Sequence, residues 1–280
     1  MLAAALWAAL ALATPPSAAP WQRLEAGLEL AWLDGPPGAP GDGKILVVRI
    51  DPAHFELRLL NASAPGEGGL HTARAWAERT GAAAAINAGL YQADYLTSVS
   101  QMRSRDHVNQ RRVSREKAFL AFDPLEPGIP AVRIVDRECE DVDRVTSRYG
   151  ALVQSIRMVS CQRQNVWAES PRRASAAAIG LDGKGRILFV HARSAWPVHA
   201  LVDALLALPL DLRRAMYVEG GPEAQLYVRA GKEELERVGA FESAPGAAPG
   251  EAWPVPNVIA AIRRTGPRSP SPRGAGRSPR

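Results

Sequence analysis

Arg213-Arg-Ala-Met-Tyr-Val-Glu219-Gly220-Gly221-Pro222-Glu223-Ala-Gln-Leu-Tyr-Val228 is the stretch whose reading decides the rest. Ala215 to Val218 form a short apolar run of strand-favouring side chains that stops at a carboxylate. Gly220 and Gly221 permit positive φ and a close approach to the backbone. Pro222 then fixes the chain ahead of a second apolar stretch, Leu226-Tyr227-Val228. The pattern predicts a strand ending in a tight, exposed turn flanked by Glu219 and Glu223. An ordinary β-turn with two solvated acids has the same signature.

Upstream of this strand, Val198, Leu201, Val202, Leu205 and Leu206 recur at helical spacing until Pro209. Before them, Ala174 to Leu181 and Arg186 to His191 read as a hairpin across Asp182-Gly183-Lys184-Gly185. Strand, helix and strand in that order predict a crossover whose second strand carries functional residues at its end. Farther back, Ala82 to Ile86 is a small-residue strand running into Asn87-Ala88-Gly89-Leu90-Tyr91, a second polar turn at a strand end. A helix from Thr72 to Arg79, closed by Gly81, precedes it.

Leu28 to Leu33, Lys44 to Ile50, His54 to Leu60, Lys117 to Phe122, Ala131 to Val135, Leu152 to Ser155 and Asn257 to Ile262 complete the expected strands. The pair around Asp51-Pro52 reads as a hairpin. Gln92 to Arg115, polar and rich in arginine, reads as a long loop, as does Gln162 to Arg172.

The ends of the chain differ from its middle. Leu2 to Ala13 is an apolar run of signal-peptide length, too short to span a bilayer, and small residues follow at Ser17, Ala18 and Ala19. Residues 1–19 therefore read as a secretory signal, the folded domain as 20–262, and 263–280 as a disordered basic tail. That tail holds six arginines and no acid, so the net charge of +5 falls to −1 without it. A nearly neutral domain gives no reason to expect nucleic acid as a partner, and no transmembrane segment is expected after signal removal. Cys139 and Cys161 are the only cysteines. In an exported protein they can close one disulfide, or they can be two buried thiols.

Several chemistries are excluded by pattern. There is no phosphate loop, no dinucleotide glycine pattern, no Gly-x-Ser-x-Gly elbow and no histidine pair at metal-ligand spacing. No cofactor and no metal is indicated. His191, at a strand end, reads as structural.

Three blocks resemble the phosphodiester glycosidase family, which includes the lysosomal uncovering enzyme. Asn87-Ala88-Gly89-Leu90-Tyr91 resembles its Asn-(Gly/Ala)-Gly-x-aromatic turn, and Ala178-Ile179-Gly180-Leu181-Asp182 with Gly185-Arg186-Ile187 is similar to its Ala-Ile-Gly-x-Asp hairpin. Glu219-Gly220-Gly221-Pro222-Glu223-Ala224-Gln225-Leu226 resembles its Asp-Gly-Gly-Gly-Ser-Ser-x-Leu signature, with Glu219 for the aspartate and Pro222 and Glu223 for Gly and Ser. The Pro-x-Gly expected after the first turn is absent.

The resemblance implies a mixed α/β (α+β) fold: a multi-stranded β-sheet core with helices packed on it and a cleft where the turns meet. It also implies a hydrolase acting on a sugar-1-phosphodiester or related carbohydrate, and the N-terminal signal makes the expected protein an exported one, secreted or periplasmic. Glu219 and Arg173 are then the catalytic candidates, and Asn87, Gly89, Gly220, Gly221 and Glu223 the substrate-binding ones. The alternative is a non-catalytic glycan-binding or cell-envelope protein that keeps the fold.

Overall fold

Alternation builds the architecture. Phe55, Leu57 and Leu59 face inward while Glu56 and Arg58 face out, whereas along Ala176 to Ile179 the same period of two sends alternate residues into two apolar layers, Ala177 and Ile179 into one and Ala176 and Ala178 into the other. The computed structural model describes residues 21–240 and 251–265. The expected signal and the tail from residue 266 onward lie outside the described residues.

In chain order the strands are β1 (Gln22–Glu25), β2 (Leu28–Asp34), β3 (Lys44–Ile50), β4 (Phe55–Asn61), β5 (Ala84–Asn87), β6 (Met102–Arg103), β7 (Val108–Gln110) and β8 (Ala118–Pro124). They continue as β9 (Val132–Asp136), β10 (Tyr149–Val159), β11 (Arg173–Asp182), β12 (Ile187–Pro197), β13 (Leu212–Gly220), β14 (Gln225–Ala230), β15 (Glu233–Val238) and β16 (Asn257–Arg263). The helices are α1 (Ala73–Thr80), α2 (Val142–Thr146) and α3 (Val198–Ala207).

The strands form two sheets. The larger runs β1-β2-β3-β12-β11-β13-β10-β6-β7, with β8 also on β10 and β9 on β8; the smaller runs β15-β14-β5-β16-β4. Adjacent strands are antiparallel in both. Leu46, Val48, Ile179 and Phe189 from the larger sheet meet Leu57, Ile86 and Ile259 from the smaller, so the main core lies between the sheets.

Each helix covers an outer face. Leu201, Val202 and Leu205 of α3 pack on Ala176, Ala178 and Val190, and Trp76 of α1 packs on Ala85, Tyr227 and Val258. Val145 of α2 covers Phe119 and Leu152. The Thr72 hydroxyl caps α1 by accepting from Ala75 N at 3.2 Å, and Gly81 closes the helix at φ 67°.

This corrects the expected fold class. With helices of 8, 5 and 10 residues, the protein is mostly antiparallel β, and mixed α/β overstates its helical content. The physical reason is connectivity: short turns such as Asp182–Arg186 return the chain antiparallel and leave no length for a helix. The crossover through α3 is as expected. Both β12 and β13 run antiparallel to β11, hence parallel to each other with β11 between them.

The Asp51-Pro52 hairpin is wrong. β3 pairs with β2 and β12 in one sheet, whereas β4 pairs with β16 in the other. Asp51 carries the chain between layers, its carbonyl accepting from His54 N and Phe55 N at 3.0 and 3.1 Å. The short strand expected at Leu152–Ser155 is the middle of β10, which has eleven residues. The arginine-rich excursion is also more ordered than a loop. Buried Gln154 accepts from Gln101 N and Ser114 N and donates to the carbonyls of Ser114 and Glu116, tying the excursion to the sheet beside β13.

Candidate active site

The polar turns after β5 and β13 meet, although 132 positions separate Tyr91 from Glu223. The Tyr91 hydroxyl donates to Glu223 Oε1 at 3.3 Å. Asn87 Oδ1 accepts from Gln225 N at 3.1 Å, while Asn87 Nδ2 is buried without a protein partner. The sheet register places Glu219 opposite Ala177, whose other neighbour is His191. Gly221 to Glu223 form one turn of 3-10 helix.

The glycines are required by geometry. A β-carbon on Gly220 would press on the Tyr217 hydroxyl and come within 2.9 Å of the Ser175 carbonyl oxygen, and Gly221 has φ 65°. His191 docks the turn on the larger sheet, its Nε2–H donating to the Ala224 carbonyl at 3.0 Å. Burial pushes His191 down to about 4, which keeps the ring neutral and in that tautomer at pH 7.

The electrostatics single out Glu219. Burial pushes it up to about 7; the charge of Glu223 adds to the rise, and the Gly220 N–H, donating to Glu219 Oε1 at 3.0 Å, opposes it. Two phenols face the pair from different elements. Burial, Glu223 and then Glu219 raise Tyr91, and burial, Glu219 and then Glu223 raise Tyr217. Behind them stand two more rings, Tyr95 at 5.7 Å from Tyr91 and Trp167 at 5.1 Å from Tyr217. Glu219 and Glu223 therefore sit among aromatic side chains from β13 itself and from the segments after β5 and β10. A carboxylate near its midpoint at neutral pH can take or give a proton.

Of the other residues singled out in the sequence, Gly89 is buried against Met102 and Val153. Arg173 opens β11, exposed, opposite Pro197 and four residues from Ala177. Strand rise puts it about 13 Å along the sheet from the level of Glu219. It shares that end of the sheet without touching the carboxylates. Tyr91, Tyr217 and Trp167 were not assigned a role from sequence. Only Tyr91 carried a signal, as the aromatic residue closing the Asn-Ala-Gly-Leu-Tyr turn.

Two other features of the fold compete with this site. A cleft of about 670 Å³ between β4 and β8 is lined by Leu57, Phe122, Arg105 and His107. Four of its charged groups are engaged with one another in the surface pairs Arg105–Asp123 and Arg58–Glu56, so the carboxylate pair is the better candidate for chemistry. The ligand atoms of Asp136, Cys139 and Cys161 lie within 4.8 Å of one another. The two sulfurs are joined in a disulfide and the buried Asp136 carboxylate is held by Arg157 at 2.6 Å, leaving no open metal site in that group. The disulfide resolves the two readings of the cysteines.

The family model described as phosphodiester glycosidase matches residues 80–262, and the chain belongs to that family. Among solved structures it resembles the zebrafish N-acetylglucosamine-1-phosphodiester alpha-N-acetylglucosaminidase catalytic domain, auto-inhibited by its pro-peptide. The identity there is 11%, with 89% of this chain and 87% of that one covered and a TM-score of 0.60. A hypothetical protein from Synechocystis is 13% identical, with 90% of this chain and 64% of that one covered and a TM-score of 0.61. No curated protein matches. These likenesses establish the fold. No helix among the described residues is long and apolar enough to cross a membrane.

Proposed function

We propose that this protein is an exported hydrolase that cleaves a sugar-1-phosphodiester, with Glu219 acting in its ionised form. The observation that carries the reading is the Glu219–Glu223 pair, set on one turn and faced by Tyr91 and Tyr217 from separate elements. Cleavage passes through an oxocarbenium-like centre and releases a phosphate. That leaving group is already anionic and gains little from protonation. A carboxylate gains more by staying charged, where it stabilises the sugar cation, attacks it, or activates water.

Tyr91 donates to Glu223 and fixes its orientation beside the reacting ring. Asn87 Nδ2, with no protein partner, offers a donor to a sugar hydroxyl, while Gly220 and Gly221 let the turn close against Tyr217 and Ser175 and so set the two carboxylates. Arg173, exposed at the same end of the sheet, receives the phosphate side of the substrate. Export is supported by the apolar run from Leu2 to Ala13 and by the Cys139–Cys161 bridge, which suits an oxidising compartment.

The test is release of free sugar from a panel of activated glycosyl-1-phosphodiesters. Wild type should release sugar from at least one, and Glu219→Gln, which keeps the shape and removes the charge, should lower kcat/KM by about 10³-fold or more. The substituted signature supports a second reading, a glycan binder without chemistry. Affinity for glycans with no sugar release across the panel is its mark.

A further inference from the structure

Next to the carboxylate pair, an aromatic ring is held out toward solvent by a strained and tightly bonded loop. Tyr95 is 57% exposed and has φ 57°, a conformation that a residue with a bulky side chain rarely adopts. The loop around it is rigid. Gln92 N donates to the Thr97 carbonyl at 2.8 Å and Tyr95 N to the Gln92 carbonyl at 3.0 Å. The Asp94 carboxylate accepts from Leu96 N, Thr97 N and the Thr97 hydroxyl. Asn109 clamps the far side, accepting from Ser98 N at 2.7 Å and donating to the Leu96 carbonyl at 2.9 Å. All but the Thr97 hydroxyl bond hold backbone groups. None covers the ring, and its neighbour is Tyr91, which bonds Glu223.

We propose that Tyr95, together with Tyr91, forms a subsite for a second sugar ring, so that the substrate is an oligosaccharide or polysaccharide and not a single sugar on a phosphate. The inference rests on the proposed function for the placement of the reacting sugar at Glu219 and Glu223. Sugar rings present C–H-rich faces that lie against aromatic planes, and a ring fixed before binding loses little entropy when it is covered. The ordering cost is met in the folded loop, in the strain at Tyr95 and the bonds that hold it. From Glu223 the path runs to the Tyr91 hydroxyl, across the Tyr91 ring, and on to Tyr95 at 5.7 Å. A chain extending from the reacting sugar along this path meets Tyr95 as its next aromatic surface.

The test is calorimetric titration of the full chain with gluco-, manno- and N-acetylglucosamine oligosaccharides, in α and β linkage, of one, two and three units. Affinity should rise about three- to tenfold from one unit to two in at least one series. Tyr95→Asn removes the ring with a residue that tolerates positive φ, and should abolish that gain; Tyr95→Trp should restore it. No gain with length in any series, or a gain that survives Tyr95→Asn, overturns the subsite. Sugar release from the one-unit phosphodiester reports separately on the proposed function. Either idea can therefore fail while the other stands.

Discussion

His191 is neutral because it is buried, and that burial makes stability depend on pH. In the unfolded chain it takes a proton near 6.5, in the folded protein only near 4. Between these values the unfolded state binds more protons, so stability is complete above about pH 6.5 and falls as the pH drops toward 4. The loss is roughly 3 kcal/mol. Urea titrations at pH 7 and pH 4 should show it, and His191→Gln should flatten that part of the profile. Gly220 makes a second test at this scale. Gly220→Ala crowds the Ser175 carbonyl and the Tyr217 hydroxyl and should destabilise by about 1–3 kcal/mol, read from the urea midpoint. Glu219, Glu223 and Asn87 stand out in the sequence because each lies within two positions of a glycine or proline at a strand end. Tyr217 was not: in a run such as Ala-Met-Tyr-Val it looks like strand filler, and only the register shows which groups its hydroxyl faces.

Local patterns predicted α1 and the β11–β12 hairpin with their capping and turn residues, because the bonds that define them lie within a few positions. The α3 crossover was read from helical periodicity between two strands. The β3–β4 pair misled for a physical reason. Two alternating strands that face one core from opposite layers have the same pattern as two that pair. The excursion from Gln92 to Arg115 also resisted reading, since much of its order comes from Gln154, forty positions from Ser114. Gln154→Leu leaves the backbone groups of Gln101, Ser114 and Glu116 without their partner. It should cost about 2–4 kcal/mol. Hydrogen exchange should accelerate from residue 98 to 116 more than in the β11–β12 hairpin. Uniform acceleration would show that the excursion does not respond as a unit.

The described residues form a two-sheet sandwich whose helices cover its outer faces, and the candidate site lies where the chain leaves β5 and β13. Strand content and the approach of the two turns could be anticipated from sequence and family resemblance. The division of strands between sheets could not, because it depends on pairings between distant segments. The central claim is that Glu219 works as a carboxylate raised by burial and by Glu223. The most direct test is the pH dependence of kcat/KM for sugar release from an activated glycosyl-1-phosphodiester. The rate should rise with pH through about 7 as Glu219 ionises, and in Glu223→Gln the midpoint should move lower, because one neighbouring negative charge is gone. A profile that falls or stays flat through neutrality, or a midpoint that Glu223→Gln leaves in place, would contradict the account.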